Sequence, residues 1–429
     1  MTLSLGLFLI SILAFSCLST STFNQQQNQA LAQPYIQTIK YRNLVLDLGN
    51  GVNTKAQLTF PAVGKGPFPA VLLIQGSGAL DKNSTLTKNA KPFWQIAQYL
   101  SERGFAVLRY DKRGIGATSY TISNSNVWGN ATANDFIHDA EKALNVLIQQ
   151  PEVDSKRISI LGHSEGTLYA PRVAIDNPTK VKNIILIAVL AQNPAKVVEY
   201  YQEVSLPLEY ATQVLDKNHT GLISIKQIEK APVLLGFLPL PYSLVRTNNT
   251  KAITTILVKD FGTSGSVSID KQLKPVLTKR YENTTAFNPS KCNNVGLCPI
   301  LWRSLSSMIP NLSIIGNVSK STGILMLNGE NDSLTPVQQA FLLQQRLTDV
   351  NHPDHTLITY PNLGHAFYPS SHWLTGFGPI QQYVLADLYA WLEAHSGFTR
   401  SYVTTAATSN IANTTPSTNT TSNSSSSSK

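Results

Sequence analysis

The sequence predicts an α/β fold: a mostly parallel central sheet, helices on both of its faces, and an inserted cap. Three observations lead there. Short continuous apolar runs, among them 70–74, 158–161, 184–188 and 323–328, have the length and composition of strands buried on both faces. Amphipathic helical stretches alternate with these runs, which is the pattern of a layered α/β domain. Glycine-bearing turns follow several of the strands, where such a sheet presents backbone N–H groups to a ligand. At 429 residues the chain is long enough for one large domain of this kind with an insertion and two atypical ends.

The N-terminal end carries an apolar run from Leu3 to Leu18, short for a spanning helix and long enough for the core of a signal peptide. It lacks an early Lys or Arg, and Ala30-Leu31-Ala32 supplies a small-x-small cleavage site. Residues 1–32 are therefore expected to direct export, with an uncleaved anchor as the alternative; Ala14-Phe15-Ser16-Cys17 is a poor match to a lipidation signal. The expected location is secreted or at the extracellular surface. At the other end, residues 399–429 are Ser, Thr and Asn with almost nothing apolar, the composition of a disordered tail or stalk.

Cys292 and Cys298 would close a small loop as a disulfide in an oxidising compartment. Asn-x-Ser/Thr sequons at Asn83, Asn130, Asn218, Asn248, Asn283, Asn311 and Asn317 fit a glycoprotein if the host glycosylates. The net charge of +9 has no dense basic run and no interleaved aromatic stripe behind it. That argues for solubility or loose attraction to acidic surfaces, and no nucleic-acid partner is expected.

Within the core, expected over 36–191 and 311–398, each element has its own signal. Residues 36–60 alternate around Gly49-Asn50-Gly51 as a hairpin. Strand 70–74 ends at Gln75-Gly76-Ser77-Gly78. A helix from Lys91 to Arg103 places Phe93, Ile96, Ala97 and Leu100 on one face, and Gly104 stops it. Strand 105–110 runs into Asp111-Lys112-Arg113-Gly114. Residues 135–150 carry Phe136, Ala140, Ala143, Leu144 and Leu147 at helical spacing. After the insertion, strand 323–328 leads through Gly329-Glu330-Asn331-Asp332 to a helix opened by Thr335-Pro336. Strand 356–360 leads to Gly364-His365, and a helix over 379–395 closes the domain.

The insertion, residues 192–310, is irregular and rich in Pro, Asn and Thr; on the C-terminal edge of the sheet it would cap a site there. Within it, residues 216–227 have the outline of a calcium loop, with Asp216, Asn218, Thr220, Gly221, Ile223 and Ser224 at the appropriate positions. Gln227 stands where a bidentate carboxylate is required, so one charged ligand remains. The alternative is a helix–turn–helix with a loop of that shape and no metal.

The chemistry centres on residues 156–172, which place Ser164 between Gly162 and Gly166 at a strand-to-helix junction. A sharp turn there holds the serine up, and the backbone N–H of Glu165 can donate to a developing oxyanion. A serine hydroxyl needs a base oriented by a third group. His365 and Asp332 follow consecutive core strands, on the same rim as Ser164. His365 is the expected base and Asp332 its orienting acid, with Glu330 as the competing acid. Of the other histidines, His352 and His355 belong at the opposite edge, His372 and His395 are competitors by residue type alone, and His163 is expected to pack. Ser77 and Glu165 would supply the oxyanion-hole N–H groups.

As an ordered set, Gln75-Gly76-Ser77-Gly78, Arg109-Tyr110-Asp111-Lys112-Arg113-Gly114, Gly162-His163-Ser164-Glu165-Gly166, Gly329-Glu330-Asn331-Asp332 and Gly364-His365 resemble the α/β-hydrolase family, in particular hydrolases similar to dienelactone hydrolases and acyl-peptidases. Gln75 stands where the family commonly has His. The resemblance implies an α/β-hydrolase fold and a serine hydrolase with a Ser-Asp-His triad and no cofactor or metal. Its expected substrate is a small-molecule ester, or a short peptide if the enzyme is an aminopeptidase or acyl-peptidase with Glu165 as a candidate anchor for the amine. A non-catalytic surface-binding protein on the same fold is the alternative outside the enzymes.

Overall fold

The computed structural model describes residues 38–247, 249–285 and 298–397. Strands β1 (Ile39–Asp47), β2 (Asn53–Pro61), β3 (Phe68–Ile74), β4 (Ala106–Tyr110), β5 (Val153–His163) and β6 (Val181–Ile187) precede the insertion. The short β7 (Leu222–Ser224) and β8 (Ser266–Ser268) lie inside it, and β9 (Gly323–Gly329) and β10 (His355–Tyr360) follow. Eight of them form one sheet in the order β1-β2-β4-β3-β5-β6-β9-β10. β1 and β2 pair antiparallel, as do β2 and β4, and every other neighbour is parallel.

The hairpin turns where the sequence placed it. Gly49, Asn50 and Gly51 all take positive φ, and Asp47 Oδ1 accepts from the Gly49 N–H at 2.8 Å. The inner parallel strands β3, β4, β6 and β9, and the second half of β5, are buried on both faces almost throughout. Leu72 and Ile74 of β3 face one apolar core, with the helices Ala133–Ile148, Gly166–Asp176 and Gln338–Asp349. Val71 and Leu73 face the other, with the helices Pro92–Ser101 and Gln382–His395. This is the period-two consequence of strand geometry, and it explains why these runs are mostly apolar, with Ser159, Asn183 and Asn328 among the buried polar exceptions.

Phe136, Ala140, Ala143, Leu144 and Leu147 are the buried stripe of Ala133–Ile148, as their spacing predicts. Thr132 caps that helix and Asp135 reaches back to the Thr132 N–H, a reciprocal capping box worth about 1 kcal/mol. The helix expected to open at Thr335-Pro336 starts three residues later, at Gln338. The Thr335 N–H and hydroxyl are both bonded to the Asp332 carboxylate, which holds the intervening turn out of the helix.

Between β6 and β9 the chain leaves the sheet. A run of helical turns from Pro194 to Leu215 is partly π-helical, and its last turn, Ala211–Leu215, opens the first of two similar units, each a helix, loop, short strand and helix. β7 and β8 pair antiparallel with buried Ile223 opposite buried Val267. Each unit is braced by one glutamine amide. Gln227 accepts from the Ser224 N–H at 2.8 Å and donates to the Leu215 carbonyl at 2.7 Å. Gln272 accepts from the Ser268 N–H at 2.8 Å and donates to the Phe261 carbonyl at 2.6 Å. Ile228, Leu234, Ile253, Leu257, Leu273 and Leu277 join Ile223 and Val267 in a core separate from those flanking the sheet.

This brace also bears on the calcium-like loop. Asp216 accepts from the Thr220 N–H at 2.9 Å and the Gly221 N–H at 2.7 Å, bonds that keep its carboxyl below the usual range. Gln227 turns to the backbone, and no group of three or more His, Cys, Asp or Glu gathers as a metal site among the described residues. Cys298 is buried at the start of the helix Pro299–Ser307; its expected partner Cys292, the signal segment and the tail lie outside the described residues.

Where the chain returns to the core, Asn311 is fully buried. Its Nδ2 donates to the carbonyls of Thr167 at 2.8 Å and Leu190 at 2.7 Å, and its Oδ1 accepts from Arg172 at 3.0 Å. A sugar on this nitrogen is incompatible with the fold, which corrects the sequon reading at this position. Asn83 is also engaged, through a hydrogen bond from Arg109 to its Oδ1.

Candidate active site

β5 ends at His163, the helix begins at Gly166, and Ser164 sits between them with φ of 55°. A left-handed conformation at a non-glycine residue costs of order 1–3 kcal/mol and persists only where its surroundings enforce it. Here the enforcing contacts are visible. The Ser164 N–H donates to Ile187 O at 2.8 Å, and the Ser164 carbonyl accepts from the Thr167 N–H at 2.8 Å and the Thr167 hydroxyl at 2.6 Å. The flanking glycines are required by close approach. A Cβ on Gly162 would lie 2.3 Å from Gly166 O, and one on Gly166 would lie 2.3 Å from Ile74 O.

Asp332 follows β9 and His365 follows β10, so parallel pairing delivers both to the edge where β5 presents Ser164. The Asp332 carboxylate lies 2.9 and 3.1 Å from His365 Nδ1. It also accepts from the N–H groups of Leu334 and Thr335, both at 2.9 Å, and from the Thr335 hydroxyl at 2.7 Å. Burial pushes this carboxyl up, but His365 and these donors outweigh burial and hold it below its ordinary value. A carboxylate fixed at Nδ1 leaves His365 Nε2 as the free ring nitrogen. The competing acid, Glu330, is exposed and accepts from Thr359 Oγ1 at 2.8 Å.

His163 packs, as expected, and does more. Its Nε2 donates to the carbonyl of His365 at 3.2 Å. His355 begins β10 at the opposite edge, with His352 nearby. His372 lies 3.9 Å from Glu209, and His395 stacks on Trp391.

Neither the Ser77 N–H nor the Glu165 N–H has a hydrogen-bond partner among the described residues. Both residues line one pocket with Ser164 and His365. Gln75, at the family's usual His position, points away and donates to the Tyr110 carbonyl. The Glu165 side chain is engaged: it lies 3.1 Å from Lys112 Nζ and accepts from Tyr169 at 3.0 Å, all three buried. This overturns Glu165 as an anchor for a peptide amine, because its charge already has a partner.

The chain is also similar in sequence to known proteins. A family model described as serine aminopeptidase, S33, matches residues 86–230. Esterase EstD of Thermotoga maritima is 34% identical over 178 residues, covering 39% of this chain and 39% of that protein. Esterase FrsA of Yersinia pestis is 26% identical over 181 residues, covering 41% and 40%. The chain has the α/β-hydrolase fold. It spans about two fifths of the length of the curated relatives it matches. Among solved structures, the proline iminopeptidase of Mycobacterium smegmatis aligns at 15% identity over 83% of this chain and 99% of that one, with a TM-score of 0.48.

The wall of the pocket is largely apolar, with Leu80, Leu86, Leu168, Leu190 and Phe377 alongside Trp302 from the insertion. The insertion also contributes Glu199 and Gln202. Glu203 takes the buried Arg280 at 3.1 Å, whereas Glu199 Oε2 has no partner among the described residues. Burial first, and then the neighbouring Glu203, push the Glu199 carboxyl well above its ordinary value. Sequence reading passed over Glu199, Lys112 and Thr167. The last two lie in segments already singled out, but nothing in local spacing shows what their side chains meet.

Proposed function

We propose that this protein of α/β-hydrolase fold is an exported serine hydrolase that cleaves carboxylic esters through an acyl-enzyme on Ser164. The observation that carries the reading is the Asp332–His365 pair, oriented by hydrogen bonds, in one pocket with a serine held at positive φ. In the proposed mechanism, Ser164 Oγ attacks the ester carbonyl and its proton passes to His365 Nε2. The carbonyl electron pair moves onto oxygen, where the Ser77 and Glu165 N–H groups donate to it. Collapse of the tetrahedral intermediate breaks the bond to the alcohol oxygen, which leaves with the proton from His365. Water repeats the sequence on the acyl-enzyme, releasing the acid and returning the proton to Ser164. Asp332 fixes the tautomer and stabilises the imidazolium without taking the proton.

The apolar wall supports an ester with an apolar acyl or alcohol group. In the exported protein Cys292 and Cys298 would pair. Glu199 favours a second reading, an aminopeptidase, because an unpartnered carboxyl in the pocket wall would ionise to hold a substrate ammonium.

The test is labelling of purified protein with a fluorophosphonate probe, in wild type, Ser164→Ala and His365→Ala. It is paired with turnover of short- and long-chain p-nitrophenyl esters and of amino-acid p-nitroanilides. Labelling of wild type alone, with ester turnover, is the expected result. Anilide turnover that disappears in Glu199→Gln would move the aminopeptidase reading to first place. A folded wild-type protein that is never labelled would leave a non-catalytic binding protein.

A further inference from the structure

The two unpaired N–H groups of the candidate oxyanion hole belong to two peptide units, Gly76–Ser77 and Ser164–Glu165. At each unit the carbonyl on the far side is loaded by a strong donor. Lys112 Nζ donates to the Gly76 carbonyl at 2.6 Å. The Thr167 hydroxyl donates to the Ser164 carbonyl at 2.6 Å, alongside its own N–H at 2.8 Å. Lys112 is 3% exposed, sits 4.6 Å from the Phe136 ring centre, and pairs with Glu165 at 3.1 Å. One buried ammonium therefore ties the turn after β3 to the residue that follows the nucleophile.

A peptide is one conjugated unit, so a hydrogen bond to its oxygen draws electron density from its nitrogen and makes the N–H a better donor. A charged donor has the larger effect, and low local dielectric preserves it. A buried ion pair, by contrast, is weak evidence of stabilisation, since well-packed apolar replacements are often as stable. Resting on the serine-hydrolase reading, we propose that Lys112 and Thr167 are positioning residues of the oxyanion hole. Each polarises, from the carbonyl end, the peptide whose N–H receives the oxyanion.

The test compares wild type with Thr167→Val, Thr167→Ser, Lys112→Met and the double variant Lys112→Met/Glu165→Gln, which leaves no unpaired buried carboxylate. Measured are fluorophosphonate labelling, kcat and KM for p-nitrophenyl butyrate, and Ki for an aryl trifluoromethyl ketone, whose serine adduct carries the oxyanion. In Thr167→Val and the double variant, kcat is expected to fall about tenfold or more while KM stays within about twofold. The ketone Ki should rise by the factor by which kcat/KM falls, and Thr167→Ser should restore both. Wild-type kcat in the double variant overturns the proposal, because Lys112 then only neutralises Glu165. So does a lowered kcat with unchanged ketone affinity, the mark of a merely structural role. A folded wild type that is not labelled overturns the underlying hydrolase reading as well; labelled wild type with unaltered variants overturns this proposal alone.

Discussion

His163 Nε2 donates to the backbone carbonyl of His365 at 3.2 Å, and the two imidazole rings lie 4.8 Å apart. One histidine thus holds the other by its main chain and leaves the second ring free to work. Burial above all, then the charge of His365, lowers the His163 pKa from 6.5 to about 3, so this ring stays neutral in the fold. The unfolded chain binds a proton at His163 below about 6.5 and the native protein does not. The resulting stability is full above that pH and is lost as pH falls toward about 3, by up to about 1.4 kcal/mol per pH unit. Melting curves between pH 7 and 4 should show a shallower decline for His163→Phe than for wild type; parallel declines would remove His163 as the source.

Asp332 is expected to act through orientation. Asp332→Asn should lower kcat by about 10³- to 10⁴-fold with little change in KM, because the amide presents the wrong partner to His365 Nδ1. Thr335→Val removes one of several bonds to the same carboxylate and should cost about tenfold or less. Steady-state kinetics on one ester decides both, and an Asp332→Asn variant with near-normal kcat would return the acid's role to another residue.

Gly166→Ala should abolish the native fold rather than reduce activity in it. The added methyl would stand 2.3 Å from Ile74 O at the C-terminal end of β3, a backbone contact that cannot be relieved by a side-chain shift. Soluble expression with loss of cooperative melting is the expected observation, and a well-folded variant would contradict the packing described.

The insertion should be indifferent to metal. EDTA in excess is expected to leave the melting temperature of the full chain unchanged, since Asp216 bonds to its own loop and Gln227 to the backbone. Gln227→Ala should destabilise the protein by about 1 kcal/mol through loss of the brace. Calcium-dependent melting would show that the loop binds the ion despite these bonds.

The inner strands were legible because burial on both faces leaves few polar positions, so composition and length suffice. β5 is longer than its apolar run, extending back to Val153 through 154–157, where Arg157 bonds to Asp154. That polar half carries no strand signal of its own. The positions of Ser164, Asp332 and His365 were readable because each follows a core strand, and parallel pairing brings the ends of such strands to one rim. Thr335 was read only as a helix opener, since its role depends on a side-chain bond back to Asp332. Glu165 was misassigned for a related reason: its partner Lys112 lies fifty-three residues away, and only the packing of the turn after β4 against the start of the helix Gly166–Asp176 brings them together.

The burial of Asn311 bears on how the protein must be made. In a secretory pathway that attaches glycans to the nascent chain, the Asn311-Leu312-Ser313 acceptor is presented before the Thr167 and Leu190 carbonyls are in place to cover it. A molecule modified there could not dock the segment that rejoins the core, and quality control would discard it. A bacterial host, or a Ser313→Ala chain in a eukaryotic one, which removes the acceptor sequence at an exposed position and keeps the Asn311 amide, avoids that loss. The same asparagine also separates biosynthetic histories: an intact, folded sample must have escaped glycosylation at this site.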